Sequence, residues 1–415
     1  MQEKIIDDAI LEKMSLENVY KIFNKNVFPM LSDEDVQFCK DLENFCLELH
    51  PKIDKNRDVY YLFPELGKQG YIQRINKYKD FTPFGMKKEL LLATIMSICD
   101  PALEFARVAS GNLCGNPTFH HCISEEILKV QDEIVSGKAV GAICITEPER
   151  GSDAAHLETK CTKADDAVIF NGEKVYTTNG SMAKYFVTYG VYDIENPRDT
   201  MVQGMISRDF GGVETKRLKI NSVPRAHISH TFFNNVRVPI SYIMGDDGKG
   251  FQNLFEGLIP ERLGLTGSAQ GVSWGSLIYG IIYTNLRKQF GKPIIRFQGV
   301  SYPLADLLAK NTAATALALQ AATIYDEKIL FAEKPSEEIK KWFAGVSSQA
   351  KYNTAKLSHE TCYTVQQQMG GIAVTDNLPV DEFADHSKIE EVIGGARNIQ
   401  LLLIQSQIQR FMRLL

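Results

Sequence analysis

One stretch of the sequence, residues 251–294, constrains the fold more than any other. It follows a glycine-rich turn at residues 245–250 and contains no proline between Pro260 and Pro293. Apolar or small residues recur along it with a helical period, among them Leu263, Gly267, Val272, Leu277 and Ile281. This pattern predicts one long helix with a buried face, which Gly291 and Pro293 end.

Composition narrows the class of protein. The chain has 415 residues and a net charge of -5, so it is long enough for about two or three domains and lacks the basic excess of nucleic-acid-binding proteins. No run of about 18 uncharged apolar residues occurs, which argues against membrane insertion. The first residues mix acidic and basic side chains and lack the apolar core of a cleavable signal peptide, so we expect a cytoplasmic location.

The cysteines give no sign of a metal or disulfide framework. Eight are scattered along the chain, and none forms a C-x-x-C pair. Only His120-His121-Cys122 forms a local cluster, and adjacent residues do not easily ligate one metal together. We interpret these three as loop and core residues and predict no metal site.

The residue pattern divides the chain into three segments and predicts an α+β multidomain fold. Residues 1–137 have helical spacing, and residues 138–249 have the period-two alternation of strands. Helical spacing returns in residues 250–415. We therefore expect an N-terminal α-helical domain, a middle β-barrel or sandwich domain, and a C-terminal four-helix bundle with those boundaries.

Individual elements follow from local signals. The acidic run Asp33-Glu34-Asp35 predicts the first turn of a helix that ends at Leu49. Asn171-Gly172 lies between two alternating runs, 167–170 and 173–178, and predicts a β-hairpin with a type I′ turn. Further expected strands are 184–191, 201–207 and 230–238, and further expected helices are 89–99, 125–135, 301–331, 336–369 and 396–415.

Four separated motifs carry a family resemblance. They are residues 143–153 (ICITEPERGSD), 174–180 (KVYTTNG), 287–293 (RKQFGKP) with Phe297-Gln298, and 367–371 (QQMGG). In this order they resemble the acyl-CoA dehydrogenase flavoprotein family, whose signature T-E-P-x-x-G-S-D is similar to the first motif. The family usually has Trp where this chain has Tyr176. The resemblance spans about residues 35–410 and implies the fold of that family with FAD as cofactor.

The resemblance implies a set of FAD-binding residues. They are Ile143, Ile145, Thr146, Ser152, Tyr176, Thr178, Arg287, Gln289, Phe290, Gln298, Gln367, Gly371 and Asn398. In the family the contacts that match Arg287 and 367–371 come from a neighbouring subunit, which implies at least a dimer and commonly a tetramer of two dimers. Taken alone, Tyr176 fits a sheet-surface aromatic and Arg287 a solvated charge at a helix end.

The expected reaction removes the α-proton of an acyl thioester while the β-hydrogen leaves as hydride to the flavin. Most members of the family place the carboxylate base near the C-terminus, where this chain has Gly394. Isovaleryl-CoA and long-chain members carry it on the long helix instead, in a segment similar to Leu258–Leu263 here, so Glu261 is the expected base. Alone, Glu261 also fits a first-turn acid after Pro260. The nearest carboxylates to Gly394, Glu390 and Glu391, are out of register.

Other residues complete the expected site. The resemblance implies that the backbone N–H of Gly394 binds the thioester oxygen. Arg262 is expected to orient Glu261 or to line the substrate channel, together with Leu258 and Ser152. Ile259 and Ala396 replace the Asp and Thr that the family often has, which leaves room for a carrier-protein thioester in place of CoA.

The resemblance implies an FAD-dependent acyl-CoA dehydrogenase that passes electrons to an electron-transferring flavoprotein. Three alternatives keep the same fold. One is an enoyl-thioester reductase, and one is an oxidase or redox-neutral eliminase acting on carrier-bound acyl groups. The third is a catalytically degenerate flavoprotein subunit whose base is lost at Gly394.

Overall fold

Helices form both ends of the chain, as the sequence predicts. The computed structural model describes residues 7–72, 85–117 and 124–411, so the cluster His120-His121-Cys122 lies outside the described residues. The N-terminal helices are α1 (Asp8–Lys13), α2 (Leu16–Val27), α3 (Asp33–Leu49), α4 (Phe63–Gln69), α5 (Met86–Cys99), α6 (Pro101–Val108) and α7 (Glu125–Val135). The three helices predicted at 33–49, 89–99 and 125–135 are confirmed. Ser32 caps α3, where its Oγ accepts from the backbone N–H of Asp35 at 3.3 Å.

The middle segment forms the predicted β structure. Its strands are β1 (Gly141–Cys144), β2 (Lys160–Ala164), β3 (Ala167–Thr178), β4 (Tyr185–Val191), β5 (Met201–Ser207), β6 (Val213–Arg217), β7 (Ile228–Pro239) and β8 (Ile243–Met244), with one short helix, α8 (Pro197–Thr200). They form one mixed eight-stranded sheet in the order β6-β7-β3-β2-β4-β5-β8, with β1 parallel to β4. Apolar side chains of six of these strands, including Phe170, Phe186 and Phe233, form its core.

The predicted hairpin at Asn171-Gly172 is wrong. Strand β3 runs through both residues, and the chain reverses earlier, at Asp165-Asp166, between β2 and β3. A bulge explains the difference, because Asn234 and Asn235 of β7 lie opposite the single residue Asn171. Asn235 adopts the left-handed conformation there, with φ of 52°. The register shift at Asn171-Gly172 is therefore a bulge of β7, and β3 does not turn.

The C-terminal segment is helical and begins with the long helix. Its elements are α9 (Gly250–Leu286), the ribbon strands β9 (Lys288–Gln289) and β10 (Lys292–Pro293), then α10 (Gln298–Tyr325), α11 (Glu337–Met369), α12 (Val380–Val392) and α13 (Arg397–Phe411). The sequence pattern missed α12. The long helix is confirmed, although it ends at Leu286, because residues 288–293 form a two-stranded ribbon.

Glycines let two helices approach closely. Gly267 and Gly271 lie one turn apart on α9, and a Cβ at Gly271 would stand 2.3 Å from the carbonyl oxygen of Thr94 on α5. The hydroxyl of Thr94 donates to the carbonyl of Gly267 at 3.1 Å. Close backbone contact is therefore one part of the packing of the long helix, in which all of residues 261–280 are buried, the large side chain of Trp274 among them.

The described residues fall into two compact units. The first draws on Met1–Ile53, Gly85–Glu104 and Arg262–Leu415, and the second on Asp54–Phe84 and Phe105–Glu261. The predicted domain boundaries at 137/138 and 249/250 stay predictions. Within residues 7–72, 85–117 and 124–411, no helix has the length and apolar character that a membrane span requires.

Candidate active site

Two of the four sequence motifs meet in the second unit. The loop after β1 carries residues 145–153, and strand β3 carries residues 174–178. The backbone N–H of Val175 donates to the carbonyl of Thr146 at 2.8 Å. The first two motifs, between which 20 residues lie in sequence, are therefore adjacent in the structure.

A buried ion pair holds these two motifs together. The Nζ atom of Lys174 lies 2.8 Å from Oε1 of Glu147, and their side chains are 0% and 4% exposed. Lys174 also donates to the carbonyl of Ile145 at 3.2 Å. Burial opposes the charged form of Glu147, but Lys174 and the hydrogen bonds from Thr159 and the N–H of Glu158 outweigh it and lower the pKa of the carboxyl. The sequence analysis missed this pair, although Lys174 occupies an inward position of an alternating strand.

Tyr176 occupies an unusual backbone position. Val175 and Tyr176 form a bulge opposite the single residue His230, and Tyr176 has φ of 58°. A bulky residue in the left-handed region is strained, and such strain concentrates at functional sites. The ring is 65% exposed. A sheet-surface aromatic needs no such conformation, so the bulge favours a ligand-facing role for Tyr176.

The turn after β3 is fixed by a buried asparagine. Asn179, with φ of 67°, donates to the carbonyls of Ala106 at 2.9 Å and Gly141 at 3.0 Å. Its side-chain oxygen accepts from the hydroxyl of Tyr60 at 2.8 Å. These bonds anchor the second motif to the start of β1.

The second unit has the chemistry that a flavin nucleotide needs. It offers an exposed aromatic ring at Tyr176 beside a loop with two hydroxyl residues, Thr146 and Ser152, of which Ser152 is exposed. Ile143, Ile145 and Thr178 are half-buried on the same two segments. An aromatic plane and nearby polar donors fit an isoalloxazine ring and its phosphate-bearing chain.

The remaining predicted cofactor residues lie at the surface of the first unit. Arg287, Gln289, Phe290, Gln298, Gln367, Gly371 and Asn398 are all exposed. Phe290 is 91% exposed and, with Gly291, forms the turn of the ribbon, with φ of 51° and 78°. Its ring meets Phe297 edge to face at 6.0 Å. This aromatic tip and the guanidinium of Arg287 are available to another molecule.

Glu261 lies inside the long helix and is buried. It follows Pro260, about three turns from the N-terminus of α9, so it is not the first-turn acid that the sequence left open. Its side chain is 8% exposed. Burial raises the pKa of Tyr189 well above its ordinary value, and the negative charge of Glu261 adds to this rise.

Tyr189 belongs to a short buried chain of polar groups. The phenol of Tyr189 accepts from Nε2 of Gln203 at 2.8 Å, and Asn253 donates to the side-chain oxygen of Gln203 at 3.3 Å. These three residues come from β4, β5 and α9 of the second unit. Sequence reasoning did not find them, because Tyr189 and Gln203 become neighbours only in the sheet, and Asn253 reaches Gln203 only in the folded unit.

A side chain at Gly394 would collide with the side chain of Leu265 as it is placed here. Gly394 has φ of 60°, and a Cβ there would stand 2.2 Å from Cδ1 of Leu265. Leu265 belongs to α9 and is buried. In the first unit, Leu265 therefore fills the space at the position where most of the family carries its base.

The other charged candidates are held in pairs. Arg262 is buried and donates from Nη1 to the hydroxyl of Ser348 on α11 at 3.3 Å.

The two carboxylates nearest Gly394 in sequence also have partners. Glu390 is fully buried, accepts from the hydroxyl of Ser268 at 2.5 Å and lies 3.1 Å from the ring of His386. Glu391 lies 2.6 Å from Lys388. The two carboxylates beside Gly394 are thus engaged within the first unit. Leu258 is half-buried on α9.

Comparison with known proteins agrees with these features. Residues 248–409 match the family model for the C-terminal domain of acyl-CoA dehydrogenase, and residues 142–236 match the model for its middle domain. An acyl-CoA dehydrogenase of Bacillus subtilis strain 168 is 26% identical over 295 residues, which are 71% of this chain and 74% of that protein.

Solved structures share the fold. Butyryl-CoA dehydrogenase from Megasphaera elsdenii has a TM-score of 0.83 at 24% identity, covering 91% of this chain and 99% of that one. The structure of PigA with FAD and proline has a TM-score of 0.83 at 19% identity, covering 91% and 98%. Because two family models together cover the middle and C-terminal parts, the chain belongs to the acyl-CoA dehydrogenase family, whose members are FAD-dependent oxidoreductases.

Proposed function

We propose that this chain dehydrogenates an acyl thioester between Cα and Cβ, with Glu261 as the base. The carboxylate of Glu261 removes the α-proton, and the backbone N–H of Gly394 binds the thioester oxygen on which negative charge develops. Bound FAD supplies the acceptor for the β-hydride. The substrate is an acyl-CoA or an acyl-carrier-protein thioester, which Ser152, Leu258 and Arg262 help to hold.

The observation that carries this proposal is the position of Glu261 inside the helix. A buried carboxylate away from a helix N-terminus gains nothing from the helix dipole and carries a desolvation penalty, which favours a functional role. The buried hydrogen-bonded groups Tyr189, Gln203 and Asn253 belong to the same unit as Glu261. A carboxylate held away from bulk water suits the removal of a proton from carbon.

The exposed residues of the first unit support a role in an oligomer. We propose that Arg287, Gln367 and Gly371 contact the FAD of a neighbouring subunit, as the family resemblance implies, and that Gln289, Phe290 and Gln298, which are exposed in the same unit, contact it as well. This arrangement requires at least a dimer, and a tetramer is the expected state. We also propose an electron-transferring flavoprotein as the electron acceptor. The proposed location of the protein is the cytoplasm.

Anaerobic titration tests the function. The purified FAD-loaded protein is mixed with a panel of acyl-CoA thioesters and acyl-carrier thioesters, and absorbance at roughly 450 nm reports flavin reduction. We expect at least one saturated thioester to bleach the flavin. If none does, while an enoyl thioester reoxidises the chemically reduced protein, the chain is a reductase. If neither occurs, the proposal of catalysis fails.

A pair of isosteric variants tests the base. Glu261→Gln should retain FAD and thioester binding but lower turnover by about 10² or more, the scale for losing a general base. Glu391→Gln is the matched control, because Glu391 is similarly buried and pairs with Lys388. Full turnover in Glu261→Gln, or an equal loss in both variants, would exclude Glu261 as the base.

A further inference from the structure

The loop between α12 and α13 has an unusual backbone. Gly394 and Gly395 follow each other with φ of 60° and 87°. The carbonyls of residues 393–395 converge on the same two donor side chains of the first unit. Carbonyls that converge in this way repel one another unless a donor lies between them.

Two buried side chains supply the donors. The Nζ atom of Lys351 donates to the carbonyl of Ile393 at 2.5 Å and to that of Gly395 at 3.1 Å. Nε2 of Gln400 donates to the carbonyls of Gly394 at 3.1 Å and Gly395 at 2.8 Å. Lys351 is 2% exposed and Gln400 is fully buried. The ammonium of Lys351 therefore lies inside the protein, against backbone oxygens.

Peptide geometry links this ammonium to the other side of the loop. In a trans peptide the carbonyl and the following N–H point in opposite directions on one rigid plane. The described peptide bonds are all trans. When Lys351 holds the carbonyl of Ile393, it therefore turns the N–H of Gly394 away from itself. A positive charge on the carbonyl also polarises the peptide and makes that N–H a stronger donor.

We infer that Lys351 is a positioning residue, which aims and strengthens the N–H of Gly394 that binds the thioester oxygen. This inference rests on the proposed function. Ser348, one turn earlier on α11, holds Arg262 at 3.3 Å, so one face of α11 supports both the residue after the base and the oxyanion donor. A lysine suits the task because its ammonium offers three donors from one point.

A simpler reading is that Lys351 only closes the end of α12, since lysines often bind the last carbonyls of a helix. The two roles differ in their effect on the hydrogen bond to the thioester carbonyl. A residue that only stabilises the helix leaves the thioester carbonyl unchanged in a folded variant. A residue that aims the Gly394 N–H changes both the strength of the hydrogen bond to that carbonyl and the rate of the step in which charge develops there.

The test uses FAD-loaded Lys351→Met, Lys351→Arg and a control, Asn311→Leu. Asn311 is buried and donates to the carbonyl of Leu307 in the same unit, far along the chain from the loop. The substrate is the acyl-CoA that the wild type oxidises fastest, and the ligand is its 2-enoyl product with a 13C-labelled thioester carbonyl. Infrared spectroscopy of the bound label measures the carbonyl stretching frequency, which falls when a hydrogen bond to the oxygen strengthens.

We expect Lys351→Met to lose most of the shift in carbonyl stretching frequency that the wild type shows. It should also lower kcat about 10- to 100-fold with little change in KM, because a weakened oxyanion donor acts on the transition state. Lys351→Arg should recover part of both, and Asn311→Leu should retain both. An active wild type whose Lys351→Met variant keeps the shift and kcat overturns this inference and leaves the proposed function standing. A wild type that oxidises no thioester overturns both.

Folding is controlled separately. If Lys351→Met does not fold, Lys351→Gln, which keeps an amide donor, takes its place and should show a reduced shift and a reduced kcat. If no Lys351 variant folds while Asn311→Leu does, Lys351 is a folding residue and the assignment is overturned.

Discussion

Cδ1 of Leu265 lies 2.2 Å from the place where a Cβ at Gly394 would stand. A side chain at 394 therefore requires the Leu265 side chain to move aside or to be replaced by a smaller one. The missing side chain at the common position of the base is thus coupled to the packing of the long helix.

The first prediction concerns this pair. Gly394→Glu should lower the free energy of unfolding, because it adds both a clash and a left-handed conformation that costs about 1–2 kcal/mol for a residue with a Cβ. Leu265→Ala should cost about 2–5 kcal/mol as a buried leucine truncation. The double variant should be less destabilised than the sum of the two, since the cavity admits the new side chain. Urea unfolding of all four proteins measures the coupling, and strict additivity would show that Leu265 moves aside freely.

The second prediction concerns the ion pair that joins the first two motifs. Lys174→Met leaves the carboxylate of Glu147 buried beside an apolar group, so we expect the free energy of unfolding to fall by about 3–5 kcal/mol. The double variant Lys174→Met/Glu147→Gln should recover part of that loss, because no buried charge remains. Urea unfolding of the apoprotein measures both. A double variant no more stable than the single one would show that hydrogen bonding, rather than charge, sets the loss.

The third prediction is a pH dependence. The pKa of Glu147 is lowered in the folded protein, chiefly because Lys174 outweighs the burial. Its stabilising contribution is therefore fully present above the unfolded pKa of glutamate, about 4.3, and is lost as pH falls through the lower folded value. The difference in the free energy of unfolding between wild type and Glu147→Gln should narrow from neutral pH to about pH 3. A constant difference would contradict the assignment.

The fourth prediction compares two glycines of the long helix. A Cβ at Gly271 would meet the backbone carbonyl of Thr94 at 2.3 Å, whereas nothing lies within 4 Å of one at Gly257. Gly271→Ala should lower the free energy of unfolding by about 1–3 kcal/mol, because two backbones must separate. Gly257→Ala should raise it by roughly 0.5–1 kcal/mol, through helix propensity. Thermal unfolding distinguishes them, and equal effects would exclude the close helix contact.

The fifth prediction concerns Phe290. Its position at φ of 51° before Gly291 suits asparagine, the preferred first residue of a type I′ turn. Phe290→Asn should therefore keep or raise the thermal stability of the apoprotein. If Phe290 contacts the FAD of a neighbouring subunit, the same change should weaken FAD retention on dilution. Phe331→Asn, at another exposed aromatic, is the control and should leave retention unchanged. Unchanged retention in Phe290→Asn would limit its role to the ribbon.

Much of the fold could be predicted because its signals are local. The acidic first turn at Asp33 reflects the helix dipole, and the partial alternation of β7 reflects a strand with one more deeply buried face. The hairpin prediction was wrong for the complementary reason. Asn171-Gly172 is compatible with a turn. In the structure, however, β3 continues through both residues and pairs with β7, which bulges opposite them at Asn235. Propensity for a turn does not fix where the chain turns when tertiary pairing offers another solution.

The candidate site was likewise predicted in part from local sequence and completed only by the tertiary structure. The amino-acid sequence alone determined the residue types and the family, because the motifs around Thr146, Tyr176 and Arg287 are contiguous, and it pointed to Glu261 through the glycine at 394. Only the tertiary structure decided that Glu261 lies well inside a helix, that Lys174 and Glu147 join two motifs, and that Leu265 and Lys351 surround Gly394. These relationships join residues far apart in sequence, and their energies depend on distance and burial, which no linear pattern records.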